Sequence, residues 1–579
     1  MIEITKKKSF QSNNTSSDQS LALAFKWLSD CAQSHEECRG VGNKPRRLPT
    51  RLIDVGILKD DTVKLCDTKL LPLDTLYLTL SHCWGTEKFL TLTTENITSF
   101  KEKGFRISHL PKTFQDAVYI TQSLPVRYIW IDSLCIVQNS KEDWQKESVL
   151  MEDVYSNGYC NIAATAAPNS QAGFFVERNV EFCHPLTINV PSPSLFTRIR
   201  RLKEHFDAFS ADNYDQFHEI VAPGSYEIHD DDLWKKEVTS STLSRRAWVF
   251  QERLLSPRVL HFTSSQIFFE CQKTRRCELY PEGLPSRCSE VHEYFSPEIV
   301  LKDGAMYLKG RFGLLHSSRA NEDEDFKKES AFTLWYRIVE AYTLCQLTYE
   351  TDRLIAIAGL ARHIQPILNC RYLAGLWDFR FVHQLCWQSL ECVRPEDTYQ
   401  APTWSWASRP TEASYSTITT VLANPSTHIK IQEVEVVTND DNEMSQAVSG
   451  YLRATGELIP VHFKEVSGVG VRWLHNVRGR SFKFIPDIPP LELSGTLYCT
   501  ICLIGQRGNG DVATGLVLRP TRQAIGQYHR VGFLDSQFFG QKGMRSMLGK
   551  VTSAEKAQMT EDLYETFDEE TNLYTFTIV

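Results

Sequence analysis

Two periods organise the apolar positions of this chain. Short runs of strand character recur in its first half, at Tyr77 to Ser81, Tyr128 to Ile131 and Tyr159 to Ala167, and between them apolar residues fall at helical spacing. Behind Pro111, the residues Phe114, Ala117, Val118 and Thr121 share one face. From Lys141 to Ser156, Trp144, Met151 and Tyr155 mark an apolar face on which Glu147 also falls, and Asn157 and Gly158 end that helix. Strand, long connection with helix, then strand is a βαβ unit, so these strands are expected to pair in parallel. A first strand, Arg51 to Val55, precedes them.

The periodicity fades from 171 to 240, which reads as a variable insertion. It returns in LSRRAWVFQERLL, where Ser244, Trp248, Glu252 and Leu255 lie on one helical face. RVLHF and QIFFEC follow, separated by too few residues for a parallel crossover, and are expected to form an antiparallel hairpin. Phe332 to Ile364 reads as two helices, and from Tyr451 onward short alternating runs separated by Gly and Pro read as strands. The resulting division is a disordered 1–19, an N-terminal helix and lead-in over 20–70, an α/β domain over 71–290, a helical region over 325–400 and a β-rich region over 401–579 opened by TWSWAS at Thr403.

Composition narrows the class. A chain of 579 residues is too long for one compact core, and 42% hydrophobic with 23% charged residues is the balance of a folded soluble protein. A net charge of −8 supplies no concentrated basic surface, so no nucleic-acid partner is expected. No stretch reaches the roughly 20 apolar residues of a spanning helix, and the Lys- and Ser-rich N-terminus lacks the apolar core of a signal peptide. A cytoplasmic protein with free thiols is the expectation, since many of its 16 cysteines sit inside apolar runs.

The chemistry concentrates where YLTLSHCWG ends. Ser81, His82, Cys83, Trp84 and the flexible Gly85 stand at one strand end, where open α/β sheets keep their ligands, and YIWI ends in the same way on Asp132 and Ser133. Ser81, His82 and Asp132 are candidates to bond ribose hydroxyls or phosphates, and Trp84 or Trp248 to stack on a flat heterocycle. Glu252 is the first candidate for a catalytic carboxylate and Glu147 the second, because glycosidic hydrolysis often uses two. Each has a plainer reading: an ion pair of Glu252 with Arg245, Arg246 or Arg127, a structural His82, and an Asp132 that caps a helix or forms the turn after its strand. Cys83 beside His82 is not a nucleophile with its base, because neighbours along a strand point to opposite faces. For the same reason Cys499 and Cys502, three positions apart on a strand, are not a redox pair. Cys31, His35 and Cys38 form a candidate zinc set, C-x3-H-x2-C, with no fourth ligand visible; a helix end with two partly buried thiols accounts for the same residues. Gly-rich phosphate loops, H-E-x-x-H and G-x-S-x-G are absent, which argues against kinase, zinc-protease and α/β-hydrolase chemistry.

LSHCWG, LPKTFQDAVYITQSL with YIWIDSLCIVQ, DWQKESVLMEDVYSNGYCNIAATAA and RRAWVFQERLLSPRVLHF, in this order, resemble the signature blocks of the fungal heterokaryon incompatibility (HET) domain. Further likenesses run from Trp27 to about Leu534. The resemblance implies non-self recognition ending in growth arrest or programmed cell death, with an incompatibility partner protein or self-association as trigger. HET domains have been proposed as distant relatives of TIR domains, which implies a flavodoxin-like, mostly parallel sheet with flanking helices. It also implies NAD as a substrate, no required cofactor, and Glu252, in RAWVFQE, as the catalytic glutamate of an NAD glycohydrolase. The competing expectation is a non-enzymatic scaffold acting through protein contacts. The sequence departs from the TIR pattern in the hairpin after Leu260 and in the insertion before Leu243.

Overall fold

The computed structural model describes residues 12–39, 46–180, 186–190, 224–228, 230–285, 307–315, 323–394, 398–415, 423–440, 442–465, 472–476, 481–507, 510–535 and 557–579. In chain order the first strands are β1 (Arg51–Asp54), β2 (Thr62–Asp67), β3 (Tyr77–Ser81), β4 (Phe105–Arg106), β5 (Tyr128–Trp130) and β6 (Cys160–Ala163). They are followed by β7 (Leu186–Val190), β8 (Gly224–Ile228), β9 (Arg258–Phe262), β10 (Ile267–Cys271) and β11 (Arg275–Cys277). The helices that matter are α1 (Asp18–Ser34), α2 (Lys112–Gln122), α3 (Lys141–Ser156), α4 (Ala247–Leu255), α5 (Glu324–Thr343) and α6 (Ile355–Leu368).

Nine of these strands form one sheet in the order β11-β10-β9-β6-β3-β5-β1-β2-β4. Its centre, β5-β3-β6-β9, is parallel, with Leu78 opposite both Ile129 and Cys160 and Ile162 opposite Leu260. Every strand outside that centre pairs antiparallel, so the βαβ pairing holds for β3, β5 and β6 while the sheet as a whole is mixed and mostly antiparallel, not mostly parallel as the TIR resemblance implied. The reason lies in the connections. The links from β3 to β5, from β5 to β6 and from β6 to β9 each carry a helix and cross over, whereas the links from β1 to β2 and from β9 to β10 are short enough for hairpins. The hairpin expected of RVLHF and QIFFEC is present, with Phe269 opposite Leu260.

The helices form where apolar stripes and caps coincide. On α2, Phe114, Ala117, Val118 and Thr121 are buried as their spacing requires. On α3, the Ser140 hydroxyl caps the Asp143 N–H, and Glu147, Met151 and Tyr155 are buried while Trp144, in the first turn, stays 36% exposed. Residues 12–19 are packed on the fold: Thr15 is buried, Asn14 bridges Glu177, and Ser17 caps α1. The expected disorder thus fails for 12–19, and 1–11 lie outside the described residues. Within the 171–240 insertion, β7 and β8 pair as an antiparallel hairpin, and 191–223 lie outside the described residues.

TWSWAS is not a strand. Trp406–Ser408 make a 3₁₀ turn, and the Trp406 indole donates to the Gly375 carbonyl at 2.9 Å, which buries the segment in the core. The C-terminal sheet begins instead at Ala423 and runs to Ile578. Cys499 and Cys502 do fall on opposite faces, each in a different apolar core. The larger of these cores is continuous from Leu21 through the nine-stranded sheet, α5 and α6 to Ile578, so the regions expected as separate domains are packed together.

Arg530 fastens the helical segment to the C-terminal sheet. Wholly buried, it donates to Asp487 at 2.9 Å and to the carbonyls of Leu385 and Trp387, with its guanidinium 3.5 Å from the centre of the Trp387 ring. Asp487→Asn leaves this cation without its counter-charge. The expected loss is about 3 to 5 kcal/mol of unfolding free energy, read as a lowered urea midpoint.

Candidate functional site

The chain lays down β3 first, adds β5 on one side and then crosses back to add β6 and β9 on the other, so the order reverses between β3 and β6. Above the carboxyl ends of those two strands a run of polar side chains is sealed into the fold. Thr79 and Ser81, two residues apart, face the same way as Asn161 of β6. Thr79 donates to the Asn161 carbonyl oxygen at 2.9 Å, the Asn161 amide donates to Ser81 Oγ at 2.9 Å, and the Ser81 hydroxyl donates to the Glu252 carboxylate. Tyr155 of α3 brings a second hydroxyl to the same carboxylate.

Glu252, on α4, is 7% exposed and forms no ion pair among the described residues. The expected cations are committed elsewhere or stand off. Arg127 pairs with Asp54 at 2.8 Å, Arg245 is exposed, and Arg246 donates to the His82 carbonyl at 2.5 Å while acting on Glu252 only through space. Burial pushes the carboxyl up to about 7, and the Asp132 charge adds to it; the Ser81 hydroxyl, Arg246 and Tyr155 pull the other way. A group in that range exchanges a proton near neutral pH.

On the opposite face His82 lies edge-on to Phe114 of α2, at 4.8 Å between ring centres, and 3.8 Å from Asp132. Burial brings its imidazole down to about 4 despite the pull of Asp132, so it is neutral at pH 7, and its Nε2 is buried with no partner. Trp84, half-buried and stacked near His82, donates its indole N–H to Asp132 at 2.8 Å. Asp132, the first residue of the short helix Asp132–Cys135, also accepts from the Ser133 N–H at 2.7 Å.

Residues 77–252 match the family model described as heterokaryon incompatibility protein (HET). This segment is a HET domain. No curated protein and no solved structure matches the chain. The HET domain opens on Tyr77, the first residue of β3, and the match closes on Glu252, so the hydrogen-bonded run joins its two ends.

Within the HET domain the structure unites Ser81 with Glu252, and His82 with Trp84 and Asp132, at one end of the sheet. Two expectations are corrected. Glu147 is buried against Arg51 at 3.4 Å, beside Asp143 and Thr50, and shares none of the groups that surround Glu252, so the two carboxylates do not face one cleft. Trp248 turns its indole N–H to Asp352 of the helical region at 3.1 Å. Gly85 holds a turn that needs glycine: its φ is +76°, and a Cβ there would come within 2.5 Å of Asn169. Cys83 joins an apolar cluster with Ala163, Val249 and Val259, away from the Phe114 side that His82 faces.

Asn161 and Tyr155 were missed as site residues. The signal for Asn161 was an amide inside an apolar strand run, which a buried strand tolerates only when its hydrogen bonds are met. Tyr155 was read only as an apolar marker. A cavity of about 610 Å³ lined by Tyr399, Arg409, Gln527 and His529 lies in the C-terminal region and is lined by none of the expected site residues. Cys31, His35 and Cys38 stand against Cys271 and Arg258, at the amino end of the parallel strands and thus opposite the candidate site. Among the described residues no helix is long and apolar enough to cross a membrane.

Because folding raises the Glu252 carboxyl from 4.5 to about 7, the folded chain binds this proton more tightly than the unfolded one. Its contribution to stability is complete below about pH 4.5 and is lost as pH rises to about 7. Glu252→Gln should therefore be more stable than the wild type at about pH 8, by on the order of 3 kcal/mol, and so melt higher, and show no such gain at about pH 4. Thermal melts across that range check the sign.

Proposed function

We propose that this is a heterokaryon incompatibility protein of non-self recognition whose HET domain binds NAD above the ends of β3 and β6 and hydrolyses its nicotinamide bond, the loss of NAD being the cell-death output. The observation that carries this reading is the contact of Glu252 with Ser81 at the point where the strand order reverses. Open α/β sheets place ligands at such a point, and the order β5-β3-β6-β9 matches the 2-1-3-4 with which a flavodoxin-like sheet begins, which supports the reading. The TIR-like reading of the domain rests on this parallel centre; the antiparallel flanks have no part in it.

The chemistry suits a dry carboxylate. As the C–N bond breaks, its electron pair leaves with nicotinamide, which departs neutral, and positive charge grows on the ribose. Glu252, oriented by the Ser81 and Tyr155 hydroxyls, faces that charge with little water to screen it. Water then adds at the ribose carbon, and its proton passes to a carboxylate whose affinity lies near pH 7. The half-buried Trp84 ring offers a stacking surface, and the unpartnered Nε2 of His82 offers a hydrogen bond to ribose or phosphate. An incompatibility partner or self-association in the cytoplasm supplies the trigger, through the helical region that holds α4.

Purified protein, alone and under enforced oligomerisation, is to be incubated with NAD and followed for nicotinamide release. Wild type is expected to turn over, and Glu252→Gln to lose about 10²- to 10³-fold, the usual cost of one preorganised electrostatic group. Silence of both proteins, with growth arrest retained by Glu252→Gln in cells, would replace the enzyme with a scaffold.

A further inference from the structure

At the other end of the sheet, four metal-binding side chains converge. Cys31 ends the buried face of α1, His35 caps that helix, and Cys38 closes the 3₁₀ turn that follows. Cys271, the last residue of β10, joins them from 236 positions beyond His35. All four are buried, and their ligand atoms lie within 4.8 Å of one another. We propose that Cys31, His35, Cys38 and Cys271 bind one structural zinc ion, which pins α1 to β10.

The geometry fits that ion. Zinc–sulfur and zinc–nitrogen bonds of about 2.3 and 2.0 Å set tetrahedral edges of roughly 3.5 to 3.8 Å. The Cys271 Sγ to His35 Nδ1 separation is 3.4 Å, so one edge has nearly that length already. The spacing supplies the rest: C-x3-H places cysteine and histidine one helical turn apart, and the turn after His35 brings Cys38 back beside them.

The surroundings suit a metal thiolate centre better than a cluster of inert thiols. The Lys273 N–H donates to Cys271 Sγ at 3.4 Å, and the Gln272 N–H reaches the Cys38 sulfur, so the chain leaving β10 wraps its amides around the sulfurs. Three thiolates and one zinc leave a net negative charge in the interior. Arg258, buried beside Cys31 and Cys38 and donating to the Cys38 carbonyl at 2.9 Å, supplies the balancing cation. Three sulfurs and one nitrogen fill a tetrahedron, and the neighbouring carboxylate Glu37 pairs with Lys273 at 3.7 Å. No position remains for a substrate or a reactive water, so the site is structural. It stands independently of the NAD reading.

The test uses the full chain, purified under reducing conditions from zinc-supplemented medium, with metal measured by mass spectrometry. One zinc per chain is expected, retained on dialysis, and a strong chelator should lower the melting temperature. Exchange with cobalt should give intense visible bands of a tetrahedral ion together with a thiolate-to-metal charge-transfer band. Cys271→Ser should bind at least about ten-fold more weakly in chelator competition, while Cys66→Ser, a half-buried thiol on β2, keeps full occupancy. Folded wild-type protein that takes up no zinc, a weak octahedral cobalt spectrum, full occupancy in Cys271→Ser, or a disulfide among Cys31, Cys38 and Cys271 would overturn the proposal. Should Cys271→Ser fail to fold, the wild-type cobalt spectrum and chelator response decide.

Discussion

A carboxylate removed from water and given no ion-pair partner must be held by neutral donors, and in this chain two hydroxyls hold it. Ser81 ends a strand, Tyr155 lies near the end of one helix and Glu252 in the middle of another, so the contact requires β3, α3 and α4 to be in register at once. The Thr79–Asn161–Ser81 run extends the requirement to β6. Each donor in that run is satisfied by the next, and Glu252 is the acceptor on which it ends. Burial without a counter-ion keeps the carboxyl near neutrality in affinity, which is a cost to the fold and an asset to proton chemistry.

α4 joins this site to the rest of the molecule. One residue before Glu252, Gln251 accepts the Gly359 N–H at 2.7 Å, so the helix is hydrogen-bonded to the middle of α6. A Cβ at Gly359 would come within 2.6 Å of that same side chain, so only glycine permits the approach. Trp248, one turn earlier, is tied to Asp352. The helix that carries the carboxylate is therefore also an interface of the helical region.

The sheet has two chemically distinct ends. At the carboxyl ends of the parallel strands lie the polar run, His82, Trp84 and Asp132; at the amino ends lie Arg258 and the four zinc-type ligands. The two clusters are separated by the length of β9. The edges beyond the parallel centre are hairpins, which widen the sheet without adding crossover helices. This is why the centre can keep a ligand-binding topology while most of the strand pairs are antiparallel.

Local pattern was enough for the elements themselves. The stripe on α2, the limits of α3 and the hairpin of β9 and β10 follow from spacing, capping and loop length, all of which act within a few residues. The placement of the SHCWG turn at a strand end and of Glu252 on a helix was legible in the same way, because strand ends and helix faces declare which residues gather there. Partner choice was not legible. Whether Glu252 would meet an arginine or a serine, whether Glu147 would join it or Arg51, and whether Cys31, His35 and Cys38 had a fourth companion depended on contacts between residues more than a hundred positions apart in most cases. Such contacts are set by how sheet and helices pack in three dimensions, and no periodicity along the chain encodes them.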